Sequence, residues 1–166
     1  TDWYNRDDIV EFKHLNTSSV TASDYAWYSC QALEKFPALD LSNSSTLNNA
    51  FFGCTALSDF GAIQADSCGD FTAAWQGTTA LTSFPAGAKL GTEATNVNFT
   101  SAFQSSGLTS FPADIDLSNG TVFSNAFRET DLISFPAINL QNGIEFVNTW
   151  YNCTSLSSFG NANLNG

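Results

Sequence analysis

Residues 150–159 read WYNCTSLSSF, and the chain has used this phrase before: Trp3 to Phe12 read WYNRDDIVEF, and Trp27 to Phe36 read WYSCQALEKF. Aligned on its first aromatic, the phrase recurs at Trp3, Trp27, Phe51, Trp75, Phe103, Phe127 and Trp150, with spacings of 24, 24, 24, 28, 24 and 23 residues. An aliphatic follows at Ile9, Leu33, Leu57, Leu81, Leu108, Leu132 and Leu156. Three residues later stands Phe12, Phe36, Phe60, Phe84, Phe111, Phe135 or Phe159. Three linked columns in seven registers establish an internal repeat, the sequence signature of repeat architectures.

Each unit has two halves of different period. In the first half, apolar or small residues recur at i, i+3, i+4 and i+7, as in Leu47, Ala50, Phe51 and Cys54 or Phe123, Ala126, Phe127 and Thr130. That spacing predicts a short helix of about two turns. In the second half, Leu-x-x-Phe followed by Pro37, Pro85, Pro112 or Pro136 predicts a short strand, which proline helps to end because it has no N–H for a ladder. Gly61 and Gly160 replace the proline in two units, and Asn119-Gly120 and Asn142-Gly143 turn the chain back. One unit buries too few apolar side chains to offset the entropy of ordering its backbone, so the units are expected to stack and share one core.

Helix-aromatic-x-x-Cys, then Leu-Thr-Ser-Phe-Pro, then an Asp/Asn- and Ser-rich turn resembles the BspA-like leucine-rich repeats of bacterial surface proteins and mycoplasma-type lipoproteins. Similar phrases occur in large phage surface proteins. AWYSCQALEKFP, AFFGCTALSDF, AWQGTTALTSFP and TWYNCTSLSSF carry the resemblance, which covers essentially the whole chain. It implies an α/β repeat solenoid, a leucine-rich-repeat-like right-handed stack of about seven ~24-residue coils with a short strand and a short helix per coil. It also implies a role in attachment or recognition. Residues 1–166 are expected to form a single segment of this kind, part of a longer chain, since no methionine occurs even at position 1.

The composition narrows the function further. A 166-residue chain with 43% hydrophobic residues can build a core, and a net charge of -11 with only five Lys and Arg repels phosphate backbones and anionic lipid. Nucleic-acid partners are therefore excluded, and no apolar run reaches the ~20 residues needed for membrane insertion as a helix. A surface of Ser, Thr, Asn, Asp and Glu with little Lys suits an extracellular, cell-surface or virion-surface location.

The chemistry-bearing residues point away from catalysis. His14 is the only histidine, so neither a histidine metal cluster nor a Ser/His/Asp triad assembles readily, and no catalytic residue, metal site or cofactor is expected. Asp40, Asp114 and Asp116 could be oxygen ligands, but Asx turns account for them more simply. Cys30 and Cys54 fall on adjacent units at a separation that a disulfide could span, although small buried thiols exchanging with Thr and Ser down the column are favoured. Asn16, Asn43, Asn98, Asn119 and Asn152 begin Asn-x-Ser/Thr sequons.

Two columns are expected to face a partner. The residue after the core aromatic runs Tyr4, Tyr28, Phe52, Gln76, Gln104, Arg128 and Tyr151, expected to be half exposed. The residue before the strand phenylalanine is charged at Glu11, Lys35 and Asp59 and then becomes serine. Tyr4, Tyr28, Phe52, Tyr151, Glu11, Lys35 and Asp59 are the candidate ligand-binding residues. The insertion Gly87 to Asn98 is a candidate binding loop. Together these features predict a non-enzymatic recognition or adhesion module whose partner is a protein or glycan on a host or cell surface. The alternative is a structural spacer or coat element that packs with its own copies or with other virion subunits.

Overall fold

In the computed structural model, residues 5–13 and 15–161 are described, and among them there is no helix. The expectation of an α/β leucine-rich-repeat solenoid with a helix in every coil is therefore overturned. Nor is there one continuous sheet. Nine strands of two or three residues form four separate small parallel sheets. β1 (Lys35–Phe36) pairs with β3 (Asp59–Phe60), and β2 (Leu39–Asp40) with β4 (Ile63–Ala65), which also pairs with β5 (Lys89–Leu90). β6 (Val97–Asn98) pairs with β7 (Gly120–Val122), and β8 (Ser134–Phe135) with β9 (Ser158–Phe159). The registers Phe36↔Phe60 and Phe135↔Phe159 place equivalent positions of neighbouring repeats side by side.

The segments expected to be helical are runs of turns, and their hydrogen bonding explains why. The N–H groups of Leu47, Asn49, Phe51 and Gly53 donate to the carbonyls of Asp70, Thr72, Ala74 and Gln76 in the next repeat, each at 2.8 Å. Those of Ala50, Phe52 and Cys54 donate three residues back, to Leu47, Asn49 and Phe51, at 3.0, 3.2 and 3.2 Å. An α-helix would commit each N–H to the carbonyl four residues back within its own repeat, leaving none for the neighbour. Alternating the donors requires a left-handed residue every fourth position: Asn49 and Gly53 have φ of 55° and 69°, and Asn125 and Glu129 have 58° and 59°. Asn and Gly reach this region at the least cost. Residues three and four apart still point inward, so Leu47, Ala50, Phe51 and Cys54 are all fully buried without any helix.

Three aromatic stacks fill the interior. Trp27, Phe51, Trp75, Phe103, Phe127 and Trp150 lie nearly parallel, with successive centroids 4.8, 6.2, 5.1, 5.2 and 6.4 Å apart. The phenylalanines from Phe36 to Phe159 form a second column, which meets the first edge-on, as Phe60 does Trp75 at 79°. Phe71, Phe99, Phe123 and Phe146 form a third. Offset and edge-on aromatic pairs each add about 0.5–1.5 kcal/mol beyond their buried area.

Gly61 and Gly160 stand where other repeats carry proline because their N–H groups donate to Phe36 and Phe135 carbonyls at 2.7 Å, which proline cannot do. A Cβ at Gly61 would also lie 2.0 Å from the Ala38 nitrogen.

The insertion is not a free loop. Lys89 and Leu90 pair with β4, Val97 and Asn98 pair with β7, and the Glu93 N–H donates to the Asp66 carbonyl at 2.9 Å. The extra residues are absorbed through left-handed Gly91 and Asn96 and a register irregularity at Val97/Asn98.

The indole N–H groups of Trp27, Trp75 and Trp150 are buried with no acceptor among the described residues, although phenylalanine serves at the same place in Phe51, Phe103 and Phe127. Trp75→Ala is expected to destabilise by about 3–5 kcal/mol. Trp75→Phe should change stability by no more than about 1 kcal/mol, because it removes an unpaired donor while keeping the stack. Urea unfolding of the two variants checks this ranking.

Candidate functional site

The outer column is built by the same turn segments that build the core. Tyr28 follows Trp27 and Phe52 follows Phe51, so the stacking that aligns the inner rings also aligns the outer ones. Tyr28 and Phe52 are half-buried and stack at 4.9 Å with planes 5° apart. Stacked in this way, the two rings shield part of one another's faces.

Tyr25, which sequence spacing did not single out, joins them. Its ring lies 5.6 Å from Tyr28 at a 47° tilt and is 46% exposed. Tyr25 has φ of 53°, in a position filled elsewhere by Asn49, Ala73, Ser101, Asn125 and Asn148. A bulky residue there is unfavourable relative to Asn. The detectable signal was therefore an aromatic residue in a column of small and Asn residues.

The expected sites do not converge on one surface patch. Tyr151 is exposed and lies four repeats beyond Phe52, where the Arg128 guanidinium sits 5.3 Å from its ring centroid. Arg128 also pairs with Glu129 at 3.0 Å and, together with a hydrogen bond from Ser105, holds the Glu129 carboxyl below its ordinary value. Glu11, Lys35 and Asp59 do line up, through the Glu11↔Lys35 bridge and the Lys35↔Asp59 register, and all three are exposed. They belong to the strand segment, whereas the aromatic column belongs to the turns. Tyr4 and His14 lie outside the described residues.

Residues between Leu15 and Trp27 border an open recess of about 440 Å³. Leu15, Val20, Ala22, Ala26 and Trp27 give it apolar walls, and hydroxyls and an amide from Asn16, Thr17, Ser19, Thr21 and Ser23 complete it. Asp24 is its single ionisable group among the described residues. The Asp24 Oδ1 accepts from Thr46 Oγ1 and from the Asn48 N–H, which fixes the carboxylate and leaves Oδ2 without a partner among the described residues.

The remaining candidates are occupied by the fold itself. Asp40 and Asp116 accept the Ser42 and Ser118 N–H groups at 2.9 Å in Asx turns, and Asp114 accepts the Gly87 N–H at 2.8 Å. Cys30, Cys54, Cys68 and Cys153 form no disulfide among the described residues. Cys54 and Cys153 donate to the carbonyls of Trp27 and Phe127 at 3.0 Å, while Thr78 and Thr130 donate to those of Trp75 and Phe127 at 2.8 and 2.9 Å. The thiols reach a carbonyl of the preceding repeat and the hydroxyls one in their own, so either residue type finds an acceptor among the core-aromatic carbonyls.

Burial pushes the Cys54 and Cys68 thiols up to about 12 from an ordinary 9.0. Because the folded-state values are raised, the unfolded chain releases these protons first, and stability falls as pH rises from about 9 toward about 12. The Cys54→Thr, Cys68→Ser variant, built from residues used at the equivalent Thr78 and Ser44, should lose stability less steeply over that range when unfolding is followed against pH. Comparison with protein-family models, with curated proteins and with solved structures found no match to this chain.

Proposed function

We propose that this chain is a non-enzymatic recognition or adhesion module of an extracellular, cell or virion surface, related to the BspA-like surface repeats, which presents its turn face to a protein or glycan. The observation that carries this reading is the Tyr25–Tyr28–Phe52 cluster. These are partly exposed aromatic residues in outer positions that other repeats fill with Asn, Ala, Ser, Gln and Arg, and with an aromatic again at Tyr151, and one of them is held in a disfavoured backbone conformation. Exposed aromatic residues are enriched where proteins meet partners, and strained backbone concentrates at such sites.

The charged column Glu11, Lys35, Asp59 offers a second contact strip, and Tyr151 a more distant one. Gln76 and Gln104 occupy the outer column without disturbing the stack, so Tyr28→Gln and Phe52→Gln are compatible with the fold. Cell-binding and glycan-array measurements should show saturable binding by the native chain and its loss in the Tyr28→Gln, Phe52→Gln variant, with unfolding midpoints little changed. Equal binding by both proteins would count against the site.

A further inference from the structure

We infer that the recess at residues 15–27, together with Tyr25, is a docking point for a basic side chain of a protein partner, an arginine or lysine on an exposed segment. This rests on the recognition reading and names the chemical class of the partner. The recess suits a guest with an apolar stem and a single cationic head. Its walls at Leu15, Val20, Ala22 and Ala26 are aliphatic, and its one ionisable group among the described residues is the Asp24 carboxylate. Long basic side chains bury their methylene stems against such surfaces while their charged ends seek a polar partner.

Three further observations favour a cation. Among the described residues Asp24 is held in place from one side only, by Thr46 and Asn48, so one carboxylate oxygen is left to take a guest. Tyr25 follows Asp24 in the chain and stands outside the recess lining, its ring nearly half exposed, and aromatic rings attract cations through their faces. The chain itself uses this contact, since Arg128 lies 5.3 Å from the Tyr151 ring in the outer column. The net charge of -11 steers basic partners toward the surface and repels sulfated or sialylated glycans.

The repeat supplies the variants. Asn48 and Asn49 stand in the next repeat where Asp24 and Tyr25 stand here, so Asp24→Asn and Tyr25→Asn install residues that the fold already accepts at these positions. Asp131→Asn removes the same charge at an exposed position outside the recess. The probe is a fluorescent arginine-rich peptide, with a glutamate-rich peptide of equal length as control, read by anisotropy on proteins whose unfolding midpoints are measured in parallel.

Binding of the arginine peptide should weaken at least tenfold in Asp24→Asn and in Tyr25→Asn, and should be unchanged in Asp131→Asn. Equal weakening in Asp24→Asn and Asp131→Asn would mean bulk charge alone and would overturn the inference, as would no binding above the glutamate control. A neutral oligosaccharide that binds in a Phe52-dependent but Asp24-independent way would sink the basic partner while leaving the recognition function standing.

Discussion

Each repeat in this chain divides its backbone amides between itself and its neighbour, and the rest of the structure follows from that division. Alternate N–H groups in the turn segments cross to the next repeat, while the ones between them close four-residue turns. A buried backbone donor without an acceptor is costly. A turn segment therefore depends on the repeat beside it for half of its polar groups as well as for its apolar contacts. Neither the strands, two or three residues long, nor the turns are stable units by themselves.

The side chains reinforce the same periodicity. Rings stack on equivalent rings, thiols and hydroxyls of the Cys/Thr column donate to core carbonyls, and Asn142 reaches back to the Ser118 carbonyl at 2.7 Å as Asn43 does to that of Ser18 at 3.3 Å. The core positions vary between Trp and Phe or among Cys, Thr and Ser, and the wider variation falls at positions that face solvent. Those positions are where the aromatic cluster, the Glu11–Lys35–Asp59 strip and the Asp24 recess arise.

The inward residues were legible from spacing alone: Leu47, Ala50, Phe51 and Cys54 were placed on one face, and they are buried together. Their backbone conformation was misread, because a run of turns with a left-handed residue at every fourth position brings residues three and four apart onto one side, as a helix does. The clue lay in the Asn, Gly and Ser residues at positions such as 49, 53, 101 and 125, which are poor choices for the middle of a helix and good ones for positive φ. Of the candidate site, Tyr28 and Phe52 were recoverable because they follow core aromatics directly. Tyr25 was legible only as an aromatic residue in a column of small and Asn residues; its exposure and its contact with Tyr28 depend on a backbone reversal that hydrophobic period does not report.

What the sequence by itself determined is the repeat length, the identity of the core columns and the acidic, polar character of the outer face, because each follows from which side chains recur and which drift. Only the tertiary structure decided that the turn segments give half their amides away, that the strands fall into separate short ladders, and that Leu15, Val20 and Asp24 border one recess. Those outcomes depend on hydrogen bonds between residues some 24 positions apart, and which acceptor a given N–H takes is settled by the neighbour stacked against it.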